Sequence, residues 1–216
     1  MHRPILCLLL AGVLAAPTSI AAQRGRTTTR KPAPKPVPKT EPADVACPEQ
    51  LGTGLKTKLL FCFVLAGREP SEGVIVRLPP HSQATVTFDL HNRHTYSEEE
   101  IRAGRGYARY TAVIGVLTMT GTLLGRGAVQ TEFRNARDLY DRITGGAGPG
   151  GTKAVAPLGR EQVSVEVPAG VDQISLLGEL LESTTSFGRE VATPGRPVAI
   201  VSNVQVSYLP APVKKR

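Results

Sequence analysis

With 216 residues, of which 41% are hydrophobic, the chain is long enough to bury a core of its own. Its formal charge of +8 is uneven: residues 1–44 hold seven Lys/Arg and two Asp/Glu, Lys214–Arg216 add three more, and the stretch between holds 16 of each sign. An electroneutral body argues against the basic face that a nucleic-acid binder wraps around its fold and makes the basicity a property of the tails.

Residues 1–22 read as a secretory leader. A short positive start, Met1-His-Arg-Pro, precedes an apolar run from Ile5 to Ala16, and small residues follow at Ser19-Ile-Ala-Ala22. Cleavage is expected after Ala21 or Ala22. The apolar run is too short for a membrane span of about 20 residues, and Pro17 interrupts its continuation. The mature chain is therefore expected to be exported, periplasmic or secreted, with no transmembrane span. Residues 23–44 are rich in Lys and Pro, carry no apolar periodicity and predict a disordered or polyproline linker. Extended, Lys31–Pro42 would reach about 40 Å. Such an arm suits a spacer, and its charge suits unspecific contact with anionic envelope polymers.

Residues 45–210 are expected to form one domain, followed by a basic tail at 211–216. Once the leader with Cys7 is removed, Cys47 and Cys62 remain as an even pair in an oxidising compartment and predict a disulfide. Alternation marks strands at Ala84–His91, Val163–Val167 and Val198–Tyr208, the last with Val198, Ile200, Val204, Val206 and Tyr208 on one face. Leu59–Leu65 and Ala112–Met119 are apolar throughout, as strands covered on both faces would be. Ile174–Leu181 is apolar in either a strand or a helix. Ser97-Glu-Glu-Glu100 predicts a capping box on a helix ending near Gly104, and Asn135 could cap a helix over Ala136–Ile143. The whole predicts a mainly β protein: an antiparallel two-layer β-sandwich, immunoglobulin-like or jelly-roll-like, with two or three short helices.

The glycine-rich Thr144–Val155 resembles a phosphate loop only in composition. Lys153 follows Thr152 instead of a glycine, Ala154 replaces the metal-binding hydroxyl, and Pro157 blocks the helix that would hold the phosphate. A connector is expected there. Asp89, His91 and His94 supply ligand types suited to zinc or iron, though in no familiar metal spacing. Arg105, Tyr107 and Arg109 interleave cationic and aromatic side chains and make a candidate surface for a protein or glycan ligand. Neither a GxSxG nor a Ser-x-x-Lys motif is present, so no nucleophile framework is visible, and no cofactor is implied. The expectation is an exported cell-envelope binding or structural module. The competing class is a metal-dependent envelope enzyme or metal-binding protein built on Asp89, His91 and His94.

Overall fold

The structure is a computed structural model that describes residues 37–144 and 153–211, with only the backbone at 153–155. The leader, residues 23–36 of the arm, the glycine-rich 145–152 and the tail residues 212–216 lie outside the described residues. Fifteen strands succeed one another among the described residues. They are β1 (Lys39–Pro42), β2 (Asp44–Ala46), β3 (Gln50–Thr53), β4 (Leu60–Leu65), β5 (Val74–Arg77), β6 (His81–Asn92), β7 (His94–Tyr96) and β8 (Ala108–Thr118). Then come β9 (Leu123–Phe133), β10 (Leu139–Arg142), β11 (Lys153–Pro157), β12 (Arg160–Val167), β13 (Gln173–Thr185), β14 (Gly188–Val191) and β15 (Pro197–Pro210). A short helix α1 (Glu98–Arg102) lies between β7 and β8. No helix among the described residues is long and apolar enough to cross a membrane.

Two six-stranded sheets form a sandwich. The first has the order β12-β6-β15-β4-β3, with β1 joining β15; the second has the order β2-β5-β13-β8-β9, with β14 joining β13. All these pairings are antiparallel. The chain passes repeatedly from one sheet to the other, so the main core is built from residues distant in sequence. Val86, Phe88 and Leu90 of β6 meet Ile114 and Val116 of β8 and Ile174 and Leu176 of β13 there, all essentially without exposure. Each such burial contributes about 1.5–3 kcal/mol relative to leaving the side chain in water.

A third sheet, β10-β11-β7, adds a partial layer that periodicity did not predict. Tyr140, Ile143 and Ala156 cover the outer face of the first sheet at Leu51, Phe61 and Ile200. This is why β4 is buried on both faces. By contrast, Val113 and Leu117 on the outer face of β8 are only half-buried, so the two-sided covering expected of Ala112–Met119 is not met. Tyr96 and Leu139 of the third sheet also pack against Tyr110 and Phe133 of the second sheet.

The expected single face of β15 is corrected by a bulge. Its pairing with β6 shifts register between Ser202 and Gln205, where Asn203 takes a positive φ of 52°. Asn tolerates this left-handed region better than most side chains. One extra residue reverses the phase of the pleat. Ala199 and Val201 face the main core before the bulge, and Val206 and Tyr208 after it, whereas Ile200 points to the opposite, second cluster.

Three other expectations change. Ile174–Leu181 is strand, inside β13. Ala136–Ile143 is not a helix: one 3-10 turn at Ala136–Asp138 leads straight into β10. The linker also ends sooner than expected, because Lys39–Pro42 pairs with Tyr208–Gln205 and Asp44–Ala46 pairs with β5. All four β1 residues are exposed, so their composition carries no burial signal, while the backbone closes the edge that β4 leaves beyond Ser202. Proline is compatible with such an edge strand.

Cys47 and Cys62 form the expected disulfide, with Cα atoms 5.5 Å apart and a separation of 15 residues. It ties the entry to β3 onto β4, with Cys62 in the main core. Replacing both cysteines with alanine is expected to cost about 3 kcal/mol, measured as the shift in urea unfolding free energy. A loss below about 1 kcal/mol would show that the crosslink constrains little.

Candidate functional site

Asp89 and His91 project from the outer face of β6, which the sequence presents as a polar strand face. Both are buried, Asp89 at 4% exposure and His91 at none: Tyr140 of the third sheet lies against His91, and Asp89 is held between Arg160 of β12 and the Asn203 amide of β15. Arg160 of β12 pairs with Asp89 at 3.4 Å, and the Arg160 guanidinium lies 4.8 Å from the centre of the Tyr140 ring. His91 packs between Phe61 and Tyr140, with its Nε2 2.9 Å from the Ser202 hydroxyl. Its Nδ1 has no hydrogen-bond partner among the described residues. Burial pushes the His91 pKa from 6.5 down to about 4; the nearby Asp89 charge opposes the shift, and Arg160 reinforces it.

His94 has left that sheet. It stacks on Phe133 with ring centres 3.8 Å apart and shares a hydrogen bond between its Nδ1 and the Tyr110 hydroxyl. Burial, aided by the Arg93 charge, lowers its pKa to about 4 as well, while burial raises that of Tyr110. The pair is therefore neutral near pH 7. A base titrating so far from neutrality is poorly matched to proton transfer under those conditions. Asp89, His91 and His94 do not converge: among the described residues, no three His, Cys, Asp or Glu side chains gather closely enough to hold a metal ion.

His94 and Tyr110 instead border a cleft of about 300 Å³ between α1, the start of β8 and the β13–β14 hairpin. Its walls include Arg105, Tyr107, Ile101 and Phe187. Ser97 caps α1 by accepting from the Glu100 N–H at 3.3 Å. Glu100 does not complete the expected box. Its carboxylate takes two hydrogen bonds from the Arg105 guanidinium, at 2.7 and 3.0 Å, while its carbonyl accepts from the Arg105 N–H at 2.8 Å. Gly106 then passes so close to the helix that a Cβ there would lie 2.5 Å from Ile101 Cγ1. The cleft wall requires this glycine.

The opposite wall is a two-residue hairpin turn, Ser186-Phe187. The Phe187 N–H donates to the Thr185 hydroxyl at 3.1 Å, and the Ser186 hydroxyl donates to the Arg105 carbonyl at 2.9 Å. Phe187 is consequently held over the cleft while remaining 73% exposed; Tyr107 is 41% exposed. Arg93 and Glu190 complete the rim with a 3.8 Å ion pair. Two of the three surface residues expected from sequence, Arg105 and Tyr107, thus meet His94 in one cleft. Arg109 does not join them; it lies exposed on β8, in register with Glu132 of β9 and Thr184 of β13.

Phe187 is not among the residues expected from sequence, although its setting in Thr-Thr-Ser-Phe-Gly carries a signal: an aromatic beside a turn glycine is well placed for exposure. Glu190 carries none, being one acid among many in sequence. The glycine-rich 145–152 lies outside the described residues, but the element after it, β11, is a strand and supplies no helix N-terminus for a phosphate. A second depression of about 360 Å³ beside the Asn203 bulge is formed largely by segments 42–45 and 201–205 and carries no aromatic side chain. No protein-family model matches the chain, and no curated protein shows significant sequence similarity to it.

Proposed function

We propose that the chain is an exported cell-envelope binding module, with its ligand site in the cleft between α1 and the β13–β14 hairpin. The observation that carries this reading is Phe187, a large apolar side chain left mostly in water on a turn fastened by hydrogen bonds. Folding gains little from an aromatic ring so placed, whereas a ligand covering it would gain its apolar area. The residues 1–22 would direct export, and the Lys/Pro-rich arm would set the reach of the domain and add unspecific attraction to anionic envelope polymers.

The test is a pull-down from envelope extract at high and low salt, using the mature chain, a truncation of residues 23–36 and a Phe187→Ala variant. The truncation stops at 36 because Lys39–Pro42 belongs to a sheet. Capture that survives truncation and high salt but falls at least five-fold in Phe187→Ala supports the reading. Capture that depends on the arm and vanishes at high salt overturns it, because charge attraction alone would account for it.

A further inference from the structure

We infer that the cleft between α1 and the β13–β14 hairpin receives a neutral saccharide, an assignment that rests on the binding-module reading above. Charge is the first argument. The cleft is lined by two arginines and two glutamates, and each arginine faces a glutamate: Arg105 with Glu100 and Arg93 with Glu190. His94, at its floor, is neutral. An acidic ligand would meet the Glu100 and Glu190 carboxylates beside the arginines, and a cationic one would meet the Arg105 and Arg93 guanidinia beside the glutamates. A neutral ligand disturbs neither pair.

Hydrogen-bonding capacity is the second argument. Arg105 uses two of its five N–H groups on Glu100, leaving three donors in a fixed plane, and the Glu100 oxygens retain lone pairs beside them. Donors and acceptors held side by side match vicinal hydroxyls, each of which both gives and accepts. Hydroxyls of Ser97 and Thr185 extend this polar rim. The third argument is shape. Tyr107 and Phe187 present aromatic rings at the mouth, and Ile101 gives an apolar wall, surfaces against which the C–H face of a pyranose ring can be buried. An apolar peptide side chain would use the rings but strand the paired ions against a greasy partner, burying them without new hydrogen bonds. The two wall pins, Ser186 to Arg105 and Arg105 to Glu100, hold these surfaces before any ligand arrives.

The test is titration of the mature protein, followed by NMR, with neutral linear trisaccharides of glucose, N-acetylglucosamine, mannose and galactose, and with the acidic trisaccharide of galacturonic acid. Saturable binding of at least one neutral trisaccharide is expected, with shifts at Tyr107 and Phe187. Affinity should fall at least ten-fold in Tyr107→Ala and in Phe187→Ala, while their melting temperatures stay unchanged. Glu100→Gln should shift preference toward the acidic trisaccharide by freeing Arg105. If no neutral trisaccharide binds while the envelope pull-down remains dependent on Phe187, the saccharide assignment is wrong and the binding module stands. Preference of the unaltered protein for the acidic trisaccharide, or Phe187-dependent capture that resolves to a protein bound directly, also overturns the assignment. Loss of both the saccharide shifts and the Phe187-dependent capture removes the module reading with it.

Discussion

Lowering the pH from 7 to 4 is expected to destabilise the domain by several kcal/mol, most of it before the carboxylates begin to protonate. His91 and His94 both titrate near 4 in the folded state against 6.5 in their ordinary state. Between those values the unfolded chain binds the protons that the folded one refuses, so stability is complete above pH 6.5 and falls as pH drops toward 4. A shift of this size is worth about 3 kcal/mol for each imidazole if the fold keeps its shape, and less if it relaxes. Both rings are almost wholly buried, His91 at no exposure and His94 at 7%, so solvent screening discounts little. Urea unfolding at pH 7, 6, 5 and 4 measures the slope, and His94→Asn should remove about half of it. Unfolding free energies equal within 1 kcal/mol at pH 7 and pH 5 would contradict this account.

Asp141→Ala should be the most damaging single substitution at a polar residue, costing about 3–4 kcal/mol and lowering the melting temperature by about 10 °C. Asp141 of β10 is 3% exposed. Its carboxylate accepts from the Lys56 N–H at 2.9 Å, the Thr57 N–H at 2.9 Å and the Thr57 hydroxyl at 2.6 Å. The turn joining β3 to β4 is thereby clasped to the third sheet, and Gly54 leaves room for the carboxylate, since a Cβ there would lie 2.2 Å from Asp141 Oδ2. Alanine would leave two backbone N–H groups without their acceptor in a partly buried site. Burial would raise the Asp141 pKa, but the Thr57 hydroxyl and the Lys56 and Thr57 N–H groups outweigh it and hold it below the ordinary value. Its stabilisation is thus present above the ordinary carboxylate range and lost below it, in a window separate from that of the histidines. Asp141→Asn keeps one acceptor and should lose about half as much. An alanine variant melting within 2 °C of the parent would show that the clasp contributes little.

The layered β architecture, the Cys47–Cys62 bridge and the Ser97 cap were legible from residue order alone, because each depends on residue type at short spacing. Alternation at Ala84–Leu90 and Val163–Val167 reports which side chains must leave water, and that rule acts within a single strand. Periodicity does not encode the rest. Tyr140 of the third sheet over His91, with Arg160 and Asn203 on Asp89, turned this polar face into an interior, since burial depends on what covers a face as well as on what the face presents. Asn203 reversed the phase of β15 through one residue that no alternation count registers. Arg105 and Tyr107 are close in sequence and were legible as a surface, but Phe187 and Glu190 reach them only through the pairing of β8 with β13 and of β13 with β14. A site assembled from strands distant along the chain is specified by sheet register, and register emerges only when the whole core closes.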